Sequence, residues 1–132
     1  ISGQFQEGYI TYSNQAKEKL LSVSHETLEK FGAVSSETAE EMARGARKTA
    51  QADISVISTG IAGPDGGTKE KPVGLVYIGC CYLDKVRVKR YVFSGGREDV
   101  RRKSAEAALK LVTEMIEQNG GQGDSYEDYC GN

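Results

Sequence analysis

No stretch of this sequence comes near the ~20 consecutive apolar residues that a membrane-spanning helix needs. No charged-then-apolar leader opens it either, so neither a membrane nor a secretory class is expected and a cytoplasmic location is. Excess charge of one sign is also missing. Lys and Arg number 17 against 19 Asp and Glu, a net of -2, which implies no basic surface for nucleic acid. Histidine occurs once, as His25, and cysteine three times, with no CxxC pair. A zinc site is therefore not expected. Cys80 and Cys81 are adjacent in an expected strand and point to opposite faces, poorly placed to bond each other. Cys130 lies in the C-terminal tail. Reduced thiols in a cytosolic compartment are the plain reading. There is no initiator methionine: the chain opens on Ile1, which reads as a processed or truncated start.

What is present suits one domain. A chain of 132 residues removes roughly two-thirds of its unfolded surface from water on folding. Residues 8–12, GYITY, read as a short strand, rich in β-branched and aromatic residues. Ser13 or Asn14 can cap a helix through Ala16, Leu20 and Leu21. A second short helix is expected over 26–31, ended by Gly32 in the left-handed region. Ser35 or Ser36 caps a longer helix with Ala39, Met42, Ala43, Ala46 and Ala50 at helical spacing. Glu37, Glu40 and Glu41 near its start and Arg47 and Lys48 near its end suit the helix dipole.

Residues 53–59, DISVIST, form a strong strand signal. A Gly-rich loop follows over 60–72, then two strands over 73–82 and 85–93. Leu83 and Asp84 join these as an antiparallel hairpin. A last helix is expected over 98–118, with Val100, Ala107, Ala108, Leu111, Val112 and Met115 inward. Residues 119–132 hold too few apolar groups to offset ordering entropy and are expected to be a disordered tail. The fold class implied is α/β, a three-layer α/β/α sandwich with a mixed sheet. One further strand and helix ahead of Ile1 would complete it.

Three groups could carry chemistry. Tyr12 and Lys17 flank the junction between the first strand and its helix, where open α/β sheets meet ligands. A lysine near a helix N-terminus is repelled by the dipole, which lowers its pKa toward that of a general base. A solvated lysine on an amphipathic face is the plainer alternative. The loop from Thr59 through Gly60 and Gly63 to Gly67 offers backbone N–H groups to an anion. It is neither a Walker loop nor a dinucleotide fingerprint, and a simple connecting loop fits the same residues. Arg97 precedes the last helix and can hold carboxylate or phosphate, or be an ordinary surface arginine. His25 reads as a surface residue, Asp84 as a turn residue, and Arg101, Arg102 and Lys103 as a solvated face.

Four segments, GYITYSNQAK, FGAVSSETAEEMARGA, STGIAGPDGGTKEKPVGLVYIG and FSGGREDVRRKSAEAAL, together resemble the C-terminal domain of the CinA family. They run from Ser2 to about Leu111 in the family's order. The resemblance implies a metal-free, cofactor-free hydrolase of pyridine nucleotide salvage and NAD metabolism. Its reaction would be the amidase conversion of nicotinamide mononucleotide to nicotinic acid mononucleotide and ammonia. It implies a Ser–Lys type mechanism in which Lys17 and Tyr12 match the catalytic lysine and tyrosine. Ser2 matches a serine that stabilises the reacting centre, Thr59 a hydroxyl residue near substrate, and Arg97 an arginine of the site. The family's nucleophile lies in a Glu-Ser-Cys-Thr-Gly-Gly segment ahead of Ile1, so these residues alone are expected to be inactive. A nucleotide-binding or regulatory module without catalysis is the alternative, and an interaction domain fused to a partner a third. A small-molecule nucleotide is the expected partner, and homo-oligomerisation is left open.

Overall fold

The structure, a computed structural model, describes residues 3–120. Ser2 and residues 121–132 of the tail expected over 119–132 lie outside the described residues, while Asn119 and Gly120, expected to be disordered, close a helical turn. Helix α1 spans Asn14–Leu21, α2 His25–Phe31 and α3 Ser36–Ala50. Each starts on a serine, Ser13, Ser24 or Ser35, whose side chain accepts the backbone N–H three residues on. Such a cap satisfies one of the donors that a helix start leaves without a partner. Strands β1 (Ile54–Gly60), β2 (Leu75–Tyr82) and β3 (Lys85–Val92) follow. Helix α4 (Arg97–Met115) ends in a π-helical turn over Ile116–Gly120.

The sheet has the order β1-β2-β3. In register, Val56 pairs with Cys80, Ser55 with Cys81, Cys80 with Arg87 and Ile78 with Lys89. Because the side-chain period along a strand is two, this register sorts the sheet into two faces. Val76, Ile78 and Cys80 meet Val100, Ala107, Leu111 and Met115 of α4. On the other face Ser55 donates its hydroxyl to Ala43 O of α3, and Gly79 lies against Ala39 O. A second core cluster beneath that face joins Leu21, Val23, Leu28, Met42 and Ala46, with Ile57 and Tyr9 packed on it. The molecule is thus an α/β sandwich of three layers, α4 above the sheet and α3 with α1 and α2 below. β2 is the one strand covered well on both faces, and its burial is nearly continuous.

Helix α3 approaches α1 very closely. A Cβ on Gly45 would run into the carbonyl of Leu21, so only glycine permits this spacing. Three details differ from the expectations above. All described strand pairs are antiparallel, where a mixed sheet was expected; β1 and β2 are linked by the Gly-rich loop without a crossover helix, which a parallel pair would need. Residues 8–12 form no strand; they enter no ladder among the described residues, and strand propensity alone does not make one. Gly32 ends α2 at φ 82°, ψ 170°, a positive φ outside the left-handed helical region.

Candidate functional site

Lys17 is buried, at 7% exposure. It belongs to the fourth residue of α1, and its Nζ donates to the carbonyl of Thr11 at 2.6 Å. No carboxylate faces it among the described residues' ion pairs. Burial holds its pKa below the ordinary lysine value. Desolvation, rather than the helix dipole expected from the sequence, is the cause. Tyr12, next to Thr11 whose carbonyl accepts from Lys17, is 94% exposed.

The other candidates gather around the Gly-rich loop. Phe31, the last residue of α2, and the two residues after it offer successive carbonyls, and each is taken by a side chain. Phe31 O accepts from Lys71 Nζ. Gly32 O accepts from the hydroxyls of Ser35 and Thr38, at 3.1 and 2.7 Å. Ala33 O accepts from Thr59 Oγ1 at 2.7 Å. Both ends of the loop, Thr59 and Lys71, are therefore tied to one turn. At its middle, Arg97 Nη1 donates to Gly63 O at 2.9 Å. Gly63 has φ 86°, and a Cβ there would meet Val73 at 2.5 Å, so a larger residue would be strained twice over. Gly60 ends β1 opposite Val76, and a Cβ there would run into Leu75 O and Val76.

Thr59, Gly60, Gly63 and Arg97 are thus one connected unit. Lys17 is not bonded to it: no hydrogen bond or ion pair among the described residues joins Lys17 to Thr59 or Arg97. Lys71 escaped the sequence reading. Its signal was available, a cation beyond a helix C-terminus, but contact across 40 positions leaves no trace in spacing. At the start of α4, Gly96 N–H donates to Asp99 Oδ2 at 2.9 Å and holds that carboxyl below its usual range. Arg97 keeps further N–H donors beyond the one given to Gly63, and an anion could be held there.

Beside this unit an open groove of about 370 Å³ runs between β1 and α4, lined by Val56, Ser58, Gly60, Ala62, Arg101 and Ala105 among others. Of the site residues it reaches Gly60 alone.

A three-layer α/β domain with a buried, unpaired lysine and a pinned Gly-rich loop is what fold and site define. The CinA C-terminal domain family matches residues 1–116, and the chain belongs to that family. A competence-damage inducible protein of Clostridium novyi is 51% identical over 120 residues, which is 91% of this chain and 29% of that protein. The chain therefore spans under a third of such curated relatives. Among solved structures, a competence/damage inducible protein from Agrobacterium tumefaciens superposes with a TM-score of 0.80 at 41% identity, covering 82% of this chain and 67% of that one. The competence damage-inducible protein A of Klebsiella pneumoniae gives 0.76 at 36%, covering 80% and 66%. No helix among the described residues is long and apolar enough to cross a membrane.

Proposed function

We propose that this domain is the larger part of an amidase that hydrolyses the amide of a nicotinamide nucleotide. Lys17 is the observation that carries the reading. A serine hydroxyl attacks an amide only when a base takes its proton. A lysine serves when its neutral form is accessible, and burial without an acidic partner favours that form. His25, the sole histidine, donates no competing base: it is ringed by Glu18 and Glu29, which raise its pKa. In this reading the nucleophile comes from outside these 132 residues, and Lys17 receives its proton and returns it to the leaving ammonia. Tyr12 adjoins Thr11, the carbonyl partner of Lys17, and can relay that proton after a side-chain rotation. Arg97 and the N–H groups of the loop hold the phosphate, and Thr59 orients the substrate.

The test is kcat against pH in a domain completed with the family's serine segment. Turnover should rise with pH through the lowered pKa of Lys17, since the neutral amine is the active form. Lys17→Met should lose roughly 10²- to 10⁴-fold in kcat, the usual contribution of a general base, with substrate affinity retained. Lys17→Arg should fail nearly as badly, because guanidinium stays protonated. Wild-type turnover by Lys17→Arg would remove lysine from the mechanism. Nucleotide binding without ammonia release by the completed wild type would favour the non-catalytic module instead.

A further inference from the structure

The Gly-rich loop is anchored unevenly. Its stem prolongs the β1–β2 pairing: Ile61 N–H donates to Leu75 O at 2.9 Å and Gly74 N–H to Ile61 O at 2.7 Å. Gly63 is buried beyond that stem, and residues 64–70 are all exposed. No side chain of this outer stretch belongs to either core cluster. Burial therefore does little to fix it, and hydrogen bonds set where it stands.

A closed turn shapes the returning arm. Thr68 N–H donates to Lys71 O at 2.7 Å, and Lys71 N–H to Thr68 Oγ1 at 3.0 Å. The Lys71 ammonium then holds this turn to Phe31 O. Phe31 is the last residue of α2, where carbonyls lack intrahelical partners and the helix dipole favours a cation. Gly32 leaves room for the contact, since a Cβ on it would lie 2.8 Å from Nζ. On the outgoing arm Arg97 Nη1 donates to Gly63 O. Lys71 thus ties the loop to the α2–α3 turn, and Arg97 ties it to the start of α4.

The two ties are not equivalent. Arg97 is the side chain assigned above to the substrate phosphate. A guanidinium bond to phosphate is charge-assisted and roughly twice as strong as one to a neutral carbonyl. A bound phosphate therefore competes with Gly63 O for Arg97, and the outgoing arm loses its tie when the ligand arrives.

We infer that Lys71 is a positioning residue for the nucleotide: it holds the outer loop against the end of α2 while Arg97 turns from Gly63 O to the phosphate. The loop N–H groups then stay where the phosphate meets them. The inference rests on the nucleotide reading given above and adds to it a residue that does not touch the substrate. Lys71 acts through Phe31 O and the Thr68–Lys71 turn, so its loss weakens binding and leaves the chemical step alone. Such a change raises KM with kcat unaltered.

The test is steady-state kinetics of the completed domain with nicotinamide mononucleotide, beside hydrogen exchange of residues 61–73 with and without the nucleotide. Lys71→Met should raise KM by about tenfold or more and keep kcat within about twofold of wild type. Lys71→Arg, which can still donate to Phe31 O, should bring KM back to within about threefold. Lys69→Met, two positions earlier and exposed, should match wild type. The nucleotide should slow exchange across the loop in wild type and speed it in Lys71→Met. Wild-type KM and wild-type exchange in Lys71→Met would overturn the inference. So would a fall in kcat with KM unchanged, which would move Lys71 into the chemistry, or equal losses in Lys71→Met and Lys71→Arg. A completed wild type that binds the nucleotide by calorimetry without turnover removes the amidase reading alone, and Kd then takes the place of KM in the same comparison. A wild type that does not bind it removes the nucleotide reading and this inference together.

Discussion

Replacing Gly45 by alanine sets two effects of opposite sign against each other. Gly45 sits inside α3, where alanine is normally favoured by about 1 kcal/mol. On propensity alone the variant should be stabler. The added methyl, however, would occupy the space of the Leu21 carbonyl and crowd its Cα. These are backbone atoms, so no side-chain rotation relieves the overlap, and α1 must move off α3. Leu21 and Val23, each 2% exposed, would lose part of their packing. Overpacking of this kind costs typically 1–3 kcal/mol and can exceed that where backbone must shift. The upper end applies here, leaving a net loss of about 2 kcal/mol after the propensity gain. For a domain of this size that lowers Tm by roughly 6–10 °C. Thermal unfolding by circular dichroism checks it, with Ala46→Gly as a companion that has no such overlap to relieve. A Tm for Gly45→Ala at or above wild type would refute the close approach of the two helices.

Thr59→Val keeps the shape but strips the hydroxyl from Ala33 O, leaving a part-buried carbonyl without its donor; denaturant titration should show a loss of about 1–3 kcal/mol. Glu114 is held below its usual pKa, chiefly by the Lys89 ammonium. A depressed carboxylate contributes stability that is present above its unfolded pKa and lost as pH falls through the folded one. Glu114→Gln should therefore unfold earlier than wild type near neutrality and converge with it in acid; a gap that persists unchanged at low pH would rule out the ion pair as its source.

Helix starts and strand alternation were legible because their determinants are local. Ser13 and Ser35, each the first of two candidates that the spacing offered, are the caps, and Leu83 and Asp84 close the hairpin. The buried positions of α4, Val100, Ala107, Leu111 and Met115, fall on the face read from periodicity. The family, too, was legible in the loop and its flanks. Residues 8–12 were not, since strand propensity becomes a strand only when a partner supplies the ladder. The carbonyl ties of Lys71 and Thr59 joined residues far apart in sequence, and no pattern announces which backbone oxygen a side chain will find. Lys17 was picked out by position, but its burial depends on how α1 lies against α3, a matter of tertiary packing.

The neighbouring thiols of β2 give the molecule two internal reporters. Cys80 looks into the α4 layer and Cys81 into the α3 layer, and both are buried. Burial pushes the Cys80 thiol up to about 12, so at neutral pH its thiolate, the reactive form, is scarce. Alkylation of either sulfur must wait for its own layer to lift. In a Cys130→Ser background, mass spectrometry of peptides carrying one label or the other would time the departure of the two helical layers separately. Detachment of α4 alone would mark Cys80 first, detachment of α3 would mark Cys81 first, and a single cooperative opening would mark both together.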